Sequence, residues 1–154
     1  MFNIKEFRNI IEAFNKTLQQ VPDKYTTIRL AEDKWSLKEI AGHLIDSAAN
    51  NHQRFVRLQE GNLISFPGYN QESWIQIQKY NEFDWYELIE FWKLYNILLV
   101  HIIEEMDQAT LNNIFVLDGE KLRLDWLVND YFEHMKWHIK HFESRLTEIT
   151  EVGR

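Results

Sequence analysis

Four long segments of this chain place apolar residues at three- and four-residue intervals, the spacing of one face of an α-helix. They run from about Ile4 to Gln20, from Leu37 to about Gly61, from Asp84 to about Ile102, and from about Leu124 to Thr150. Glycine (five residues) and proline (two) are scarce, so little interrupts the pattern. The 154 residues are therefore predicted to form a single domain, an all-α four-helix bundle.

Capping signals mark two helix starts. Ser36 with Glu39, and Asp84 with Glu87, have the spacing of a capping box. In this motif the side chain of the first residue accepts from the backbone amide of the second, and the acid of the second accepts from the backbone amide of the first. The apolar spacing also predicts which residues of the third and fourth long helices are buried. Those residues are Leu88, Phe91, Trp92, Tyr95, Leu98, Leu99 and Ile102 on the third, and Leu127, Tyr131, His134, Met135, His138, Phe142, Leu146 and Ile149 on the fourth.

The connecting segments carry weaker signals. A short extra helix is predicted from Asn70 or Gln71 to Tyr80, after the turn around Pro67. Asp118-Gly119 lies between short apolar runs, which is typical of a small hairpin.

Composition excludes several functions. The net charge is −7 and no basic run occurs, which disfavours nucleic-acid binding. No apolar run reaches the roughly 20 residues of a membrane helix, and the first residues are charged where a signal peptide is apolar. There is no cysteine, so disulfides, thiolate metal sites and a cysteine nucleophile are excluded. We expect a soluble cytoplasmic protein.

Histidines on the fourth long helix indicate a possible site. His134, His138 and His141 fall on one stripe of that helix, and the stripe coincides with its apolar face. A buried neutral imidazole needs partners for both nitrogens, and metal ligation supplies one of them. Spacing alone leaves open whether His138 pairs with His134 or with His141, and whether these histidines are structural and only hydrogen-bonded at the bundle edge.

A further histidine lies on the second long helix. His43, Ser47, Asn50 and Arg54 follow one line beside its apolar stripe, the pattern either of a polar pocket wall or of a solvated helix face. His52 points to the opposite side from His43, and His101 is predicted to be structural or exposed.

The surroundings restrict the kind of metal. Histidine-only ligation suits Zn, Ni, Fe or Co better than Mg or Ca, and a chain without cysteine is an unusual host for a closed structural zinc site. Three neutral imidazoles leave the ion's charge uncompensated, so nearby acids are expected. Asp46, Asp130 and Glu39 each lie within one turn of a candidate ligand.

At this point the sequence resembles a known family. The matching residues are Trp35-Ser36-x-x-Glu39-x-x-x-His43-Leu44-x-Asp46-Ser47, Asn50-Asn51-x-x-Arg54-Phe55, Tyr69-Asn70-x-x-x-Trp74 and Tyr131-x-x-His134-x-x-x-His138. They resemble the DinB-like superfamily, specifically its metal-dependent hydrolase and thiol S-transferase branch.

The resemblance implies a four-helix bundle in which His43, His134 and His138 hold a divalent metal, so that His141 is not a ligand. Two positions depart from the family pattern. Trp137 stands where many relatives carry a second adjacent histidine, and Asn70 stands where relatives often carry an acid. Neither change touches the three histidines.

The expected function is that of a metal-dependent enzyme, a hydrolase or a low-molecular-weight-thiol S-transferase, with an open coordination position. The expected substrate is a small molecule, and the pocket candidates are Asp46, Asn50, Tyr69, Trp74 and Tyr131. No general base is assigned. The alternatives are a non-catalytic metal-binding or stress-related bundle and a purely structural bundle.

A homodimer is also predicted, from apolar residues on more than one side of the third long helix. Those residues are Trp85, Ile89, Trp92, Ile97, Leu98 and Val100.

Overall fold

The long helices begin and end close to the positions that the apolar spacing predicts. In the computed structural model, which describes residues 1–153, the helices are α1 (Ile4–Gln19), α2 (Leu37–Glu60), α3 (Gln71–Gln78), α4 (Trp85–Glu104) and α5 (Leu124–Val152). The capping box at Ser36 is complete, since Ser36 Oγ accepts from the amide of Glu39 and the Glu39 carboxylate accepts from the amide of Ser36. Asp84 caps α4 by accepting from the amide of Glu87. Each such cap is worth about 1 kcal/mol.

The four long helices form a ring around one aromatic core. Helix α2 packs between α4 and α5, and α1 closes the ring by packing on α4 and touching α5. Phe14 of α1 meets Trp92 of α4 and Phe142 of α5 edge-on, with ring centroids 5.1 and 5.2 Å apart. Phe7 stacks on Phe132. This confirms the predicted four-helix bundle with a short extra helix.

The predicted buried face of α4 is partly wrong. Phe91 and Leu98 are 52% and 43% exposed, whereas Val100 and Ile103 are buried. The real face is rotated by roughly one residue position and is centred near Asn96, which is fully buried. Helix α4 is apolar on nearly every side, so the periodicity of its sequence does not distinguish the core face from the exposed one.

The same rotation affects the residues from which a homodimer was predicted. Trp85, Ile89, Trp92 and Val100 are buried within the protomer and cannot form its outer surface. The large apolar side chains that α4 does expose are Tyr86, Phe91, Leu94, Ile97 and Leu98. The homodimer stays a prediction.

A hairpin closes one end of the bundle where Asp118-Gly119 predicts a turn. Strands β1 (Ile114–Leu117) and β2 (Glu120–Arg123) pair antiparallel. Asp118 and Gly119 both have positive φ angles, of 50° and 84°, which is the backbone of a type I′ hairpin turn. Leu63, just after α2, adds a single parallel bridge to Phe115 and so ties the hairpin to α2.

One close approach fixes the segment between α3 and α4 against α2. The ring of Tyr80 lies directly on the backbone of Gly42, and any Cβ at that position would overlap the ring. Tyr80 is itself buried, and its hydroxyl donates to Asp46 at 2.6 Å. Within residues 1–153, none of the helices combines the length and the apolar character that crossing a bilayer requires.

Candidate metal centre

Three histidines from two helices meet inside the bundle. His43 lies in the second turn of α2, and His134 and His138 lie one turn apart on α5, so the packing of α2 on α5 brings them together. One ring nitrogen from each lies within 4.8 Å of the others. The His43 ring centroid is 4.4 Å from that of His138 and 5.5 Å from that of His134.

Burial leaves several ring nitrogens of this cluster without partners. His43 is 1% exposed, and neither of its nitrogens forms a hydrogen bond with the described residues. His138 is also buried, with its Nδ1 unpartnered and its Nε2 3.0 Å from Nε2 of the partly exposed His134. An unpaired buried polar atom costs on the order of 1–3 kcal/mol, so the arrangement favours a species that accepts these lone pairs.

The electrostatics keep the rings neutral. Burial, reinforced by the neighbouring histidines, lowers the pKa of His43 from 6.5 to about 4 and that of His138 to about 3. Burial also lowers the pKa of His134, against an opposing effect of Asp130. Neutral imidazoles offer a lone pair at physiological pH, as ligation requires. Three neutral nitrogen donors fit a divalent transition metal better than a hard ion such as Mg²⁺ or Ca²⁺.

His141, the alternative partner of His138, is not part of the cluster. Its Nε2 lies 3.3 Å from Nη2 of Arg145, and since a guanidinium can only donate, that nitrogen accepts. Arg145 also donates to the backbone carbonyl of Trp35.

Two of the three acids expected near the ligands, Glu39 and Asp46, are held by other contacts in the structure. Glu39 forms an ion pair with Arg29 at 2.6 Å in addition to its capping bond. The Asp46 carboxylate accepts from Tyr80 and, at 2.8 Å, from Gln78. Among the described residues, neither acid nor Asp130 forms a hydrogen bond with a histidine of the cluster. Asp130 alone has an electrostatic effect on one of them, His134.

An outer cavity of about 390 Å³ gives access to His134 and His138, the two cluster histidines on α5. Trp35 lies over His43, with ring centroids 5.1 Å apart, and its indole nitrogen donates to Glu72 at 3.1 Å. The residues that line this cavity are Asp33, Trp35, Gln71, Glu72, His134, Trp137, His138, His141 and Arg145.

A second, smaller cavity lies on the other side of His134. Its volume is about 170 Å³, and we call it the Arg54 cavity. It is lined by Ser47, Asn51, Arg54, Tyr69, Asp130, Tyr131 and His134.

The five pocket candidates separate into three groups. Tyr69 and Tyr131 line the Arg54 cavity, although the Tyr131 hydroxyl donates to Asn96, away from the histidines, at 2.6 Å. Asn50, Tyr69 and Trp74 line a third cavity of about 390 Å³. Asp46 lines none of these three cavities.

Sequence reasoning did not select Glu72, Asn51 or Arg145 as pocket residues. Glu72 reaches the outer cavity only through tertiary packing, which no local pattern predicts. Asn51 follows Ser47 by one turn of α2, so its place beside Ser47 could have been inferred. Arg145 follows His138 by seven residues, two helical turns, so its place on the same face of α5 could have been inferred.

Solved structures similar to this chain include two proteins from Bacillus subtilis. YfiT from Bacillus subtilis, described as a probable metal-dependent hydrolase with an unusual four-helix bundle topology, has a TM-score of 0.77 and 15% identity. The match covers 98% of this chain and 89% of that one. A DinB-like protein from Bacillus subtilis, YjoA, has a TM-score of 0.62 and 18% identity, over 98% of this chain and 91% of that one. At these identities the likeness shows the fold.

A search of curated protein sequences finds no match. The sequence model of the DinB superfamily matches residues 6–142. That match includes the histidine-bearing parts of both α2 and α5 and most of the chain, and it confirms the resemblance seen in the sequence. The protein therefore belongs to the DinB superfamily.

Proposed function

We propose that this protein is a metal-dependent enzyme, a hydrolase or a low-molecular-weight-thiol S-transferase, whose divalent metal (Zn, Ni or Fe) is held by His43, His134 and His138. The observation that carries the proposal is the convergence of three neutral imidazoles from two helices, two of them buried and with unpartnered nitrogens. The description of the structurally similar YfiT as a probable metal-dependent hydrolase supports it.

The chemistry follows from the donor set. A divalent metal with three histidine ligands and an open position supplies a Lewis acid that lowers the pKa of a bound water or thiol. The chain's own contribution is the environment. Trp35 covers His43 and excludes water from that side, while the outer cavity leaves His134 and His138 accessible to a small molecule.

The pocket candidates have different parts in this proposal. Tyr69 and Trp74, with ring centroids 4.9 Å apart, and Asn50 form a wall for the body of the substrate. Asp46 acts as a positioning residue, because its carboxylate holds Gln78, the last residue of α3, and Tyr80 just after it. The Tyr131 hydroxyl is committed to Asn96 and fixes α5 against α4.

Metal analysis tests the proposal directly. Protein purified without an affinity tag is expected to contain, or to recover on addition, about one equivalent of a divalent transition metal. A variant combining His43→Ala, His134→Ala and His138→Ala is expected to bind none. The matched control is His141→Ala, which removes a neighbouring imidazole outside the cluster and is expected to keep the metal.

The outcomes separate the possibilities. Wild-type protein that neither contains nor recovers a metal would refute the site, and metal loss in His141→Ala but not in His134→Ala would show that the ligand pair is wrong. If metal binds, assays with ester and amide substrates and with thiols plus electrophiles distinguish an enzyme from a binder. Turnover must disappear in the triple variant and persist in His141→Ala.

A further inference from the structure

Among the described residues, Arg54 has no hydrogen-bond or ion-pair partner. Its guanidinium lies over the ring of Phe115, 4.8 Å from the centroid, and its Nε is buried and unbonded. The other arginines within residues 1–153 each donate a side-chain hydrogen bond, and Arg54 does not. Those residues are Arg8, Arg29, Arg57, Arg123 and Arg145. A partly buried guanidinium held in place by an aromatic ring and left unpaired is available to bind an anion.

The cavity around Arg54 is suited to an oxygen-bearing ligand. Besides Arg54, its lining includes the hydroxyl-bearing residues Ser47 and Tyr69, and Asn51, whose amide donates to the Ser47 backbone carbonyl at 2.9 Å. Burial raises the pKa of Tyr69 to about 12, so its hydroxyl stays protonated and can donate. His134 lies in the wall of the same cavity, so a group bound to Arg54 is next to the histidine cluster.

Size and charge restrict the ligand further. About 170 Å³ corresponds to roughly five or six water molecules, at about 30 Å³ each, which is enough for a small acid group and a few further atoms. Asp130 is exposed and also lines the cavity. Its negative charge already acts on Arg54, so it disfavours a dianionic phosphate more strongly than a ligand with a single negative charge.

We propose that Arg54 is the specificity-determining residue of this site and binds the carboxylate of a small carboxylate-bearing substrate in the cavity beside His134. The planar guanidinium matches a carboxylate with two parallel hydrogen bonds. That the bound molecule is a substrate rests on the proposed function, but carboxylate binding at Arg54 does not.

The first experiment needs no metal. Nitrogen-15-labelled, metal-free protein is titrated with butyrate and with its neutral analogue butyramide at constant ionic strength, and the arginine Nε–H signals are followed by NMR. The Arg54 signal is assigned by its loss in Arg54→Met. We expect butyrate to shift this signal saturably and butyramide to leave it unchanged. The matched control is Arg57→Met, which replaces an exposed arginine about one turn further along α2. It is expected to respond to butyrate as wild type does.

The second experiment links this site to the metal. On zinc-loaded protein, 3-mercaptopropionate is expected to bind on the order of 10- to 100-fold more tightly than 3-mercaptopropanamide, the value of a hydrogen bond to a charged group. Arg54→Met is expected to lose the preference and keep its zinc, and Arg57→Met is expected to keep both. Circular dichroism verifies that each variant is folded. If Arg54→Met does not fold, Arg54→Lys takes its place and is expected to show a weaker carboxylate preference than wild type.

Two results would overturn the proposal: a butyrate response no stronger than that of butyramide, or a carboxylate preference that survives in folded Arg54→Met. Protein that binds none of zinc, nickel and iron but shows the butyrate shift would refute the metal-dependent function and support the carboxylate site. Protein that binds zinc without any carboxylate preference would refute the carboxylate site and leave the metal site supported.

Discussion

At the residue scale, His43 and His138 show what burial costs an ionisable side chain. Both rings lie away from water beside other imidazoles, so the folded protein keeps them neutral. In the unfolded chain each would titrate near its ordinary pKa of about 6.5. Between that pH and the folded pKa values of about 4 and about 3, the unfolded state binds more protons than the folded state.

This difference gives a pH-dependent stability whose sign is fixed. Because the unfolded state binds more protons, the free energy of unfolding of the metal-free protein falls as the pH is lowered from about 6.5. The slope is about 1.4 kcal/mol per pH unit for each histidine that stays neutral. We expect His138→Gln to make the slope between pH 6 and 4.5 shallower by about that amount, measured by urea unfolding at a series of pH values.

The control for this measurement is His101→Gln, which changes an exposed histidine at the end of α4. Its slope should equal that of wild type. Equal slopes in wild type and His138→Gln would show that His138 is not held neutral by burial, and would remove one reason for regarding it as an available ligand.

At the element scale, α2 organises the site. It carries His43 and Arg54, and the chain between α3 and α4 packs on it at Gly42, where Tyr80 touches the helix backbone. Glycine in a helix interior costs up to about 1 kcal/mol relative to alanine. Its presence here is explained by the space that the Tyr80 ring needs.

We therefore expect Gly42→Ala to destabilise the protein, although alanine is the better helix former. The new methyl group would overlap the buried Tyr80 ring, and overpacking of this kind costs about 1–3 kcal/mol. Urea unfolding measures the effect. Gly61→Ala, where an added Cβ meets nothing within 4 Å, should stay within about 0.5 kcal/mol of wild type. A Gly42→Ala variant as stable as wild type would mean that Tyr80 moves away at no cost.

How far the sequence predicts these elements depends on whether the signal is local. The helix bounds, the cap at Ser36 and the Asp118-Gly119 turn follow from neighbouring residues, and each was predicted. The buried face of α4 was not, because its Phe91 and Leu98 look like core residues in sequence but are exposed in the bundle.

The site itself was only partly predictable. The line from His43 through Ser47 to Arg54 on α2 fitted either a polar pocket wall or a solvated helix face, and in the structure Ser47 and Arg54 line one cavity. Asn50 of the same line borders a different cavity. Tyr69 lines both cavities, so the loop that carries it lies between the two. Spacing did not choose between His134 and His141. The choice depends on how α5 is rotated against α2, which is a property of the tertiary packing.

At the scale of the whole molecule, the proposed metal would link two helices that are far apart in sequence. The α2 ligand precedes the α5 ligands by about 90 residues, and no other bond joins the two helices at that point, since His43 forms no hydrogen bond with the described residues. A ligand that binds only the folded state stabilises it by mass action. The stability of the bundle should therefore depend on metal concentration.

We expect zinc at about 100 times its dissociation constant to raise the free energy of unfolding by about 2.7 kcal/mol. For a domain of this size that corresponds to an increase in melting temperature of several degrees, measured by circular dichroism in the presence of zinc and of a chelator. The triple histidine variant should melt at the same temperature with zinc and with the chelator, because its folded state lacks the three ligands that would bind the ion. His141→Ala should keep the full shift, since its imidazole lies against Arg145 and not in the cluster. A shift of equal size in the triple variant would place the ion elsewhere on the molecule, and the buried nitrogens of His43 would then need a different explanation.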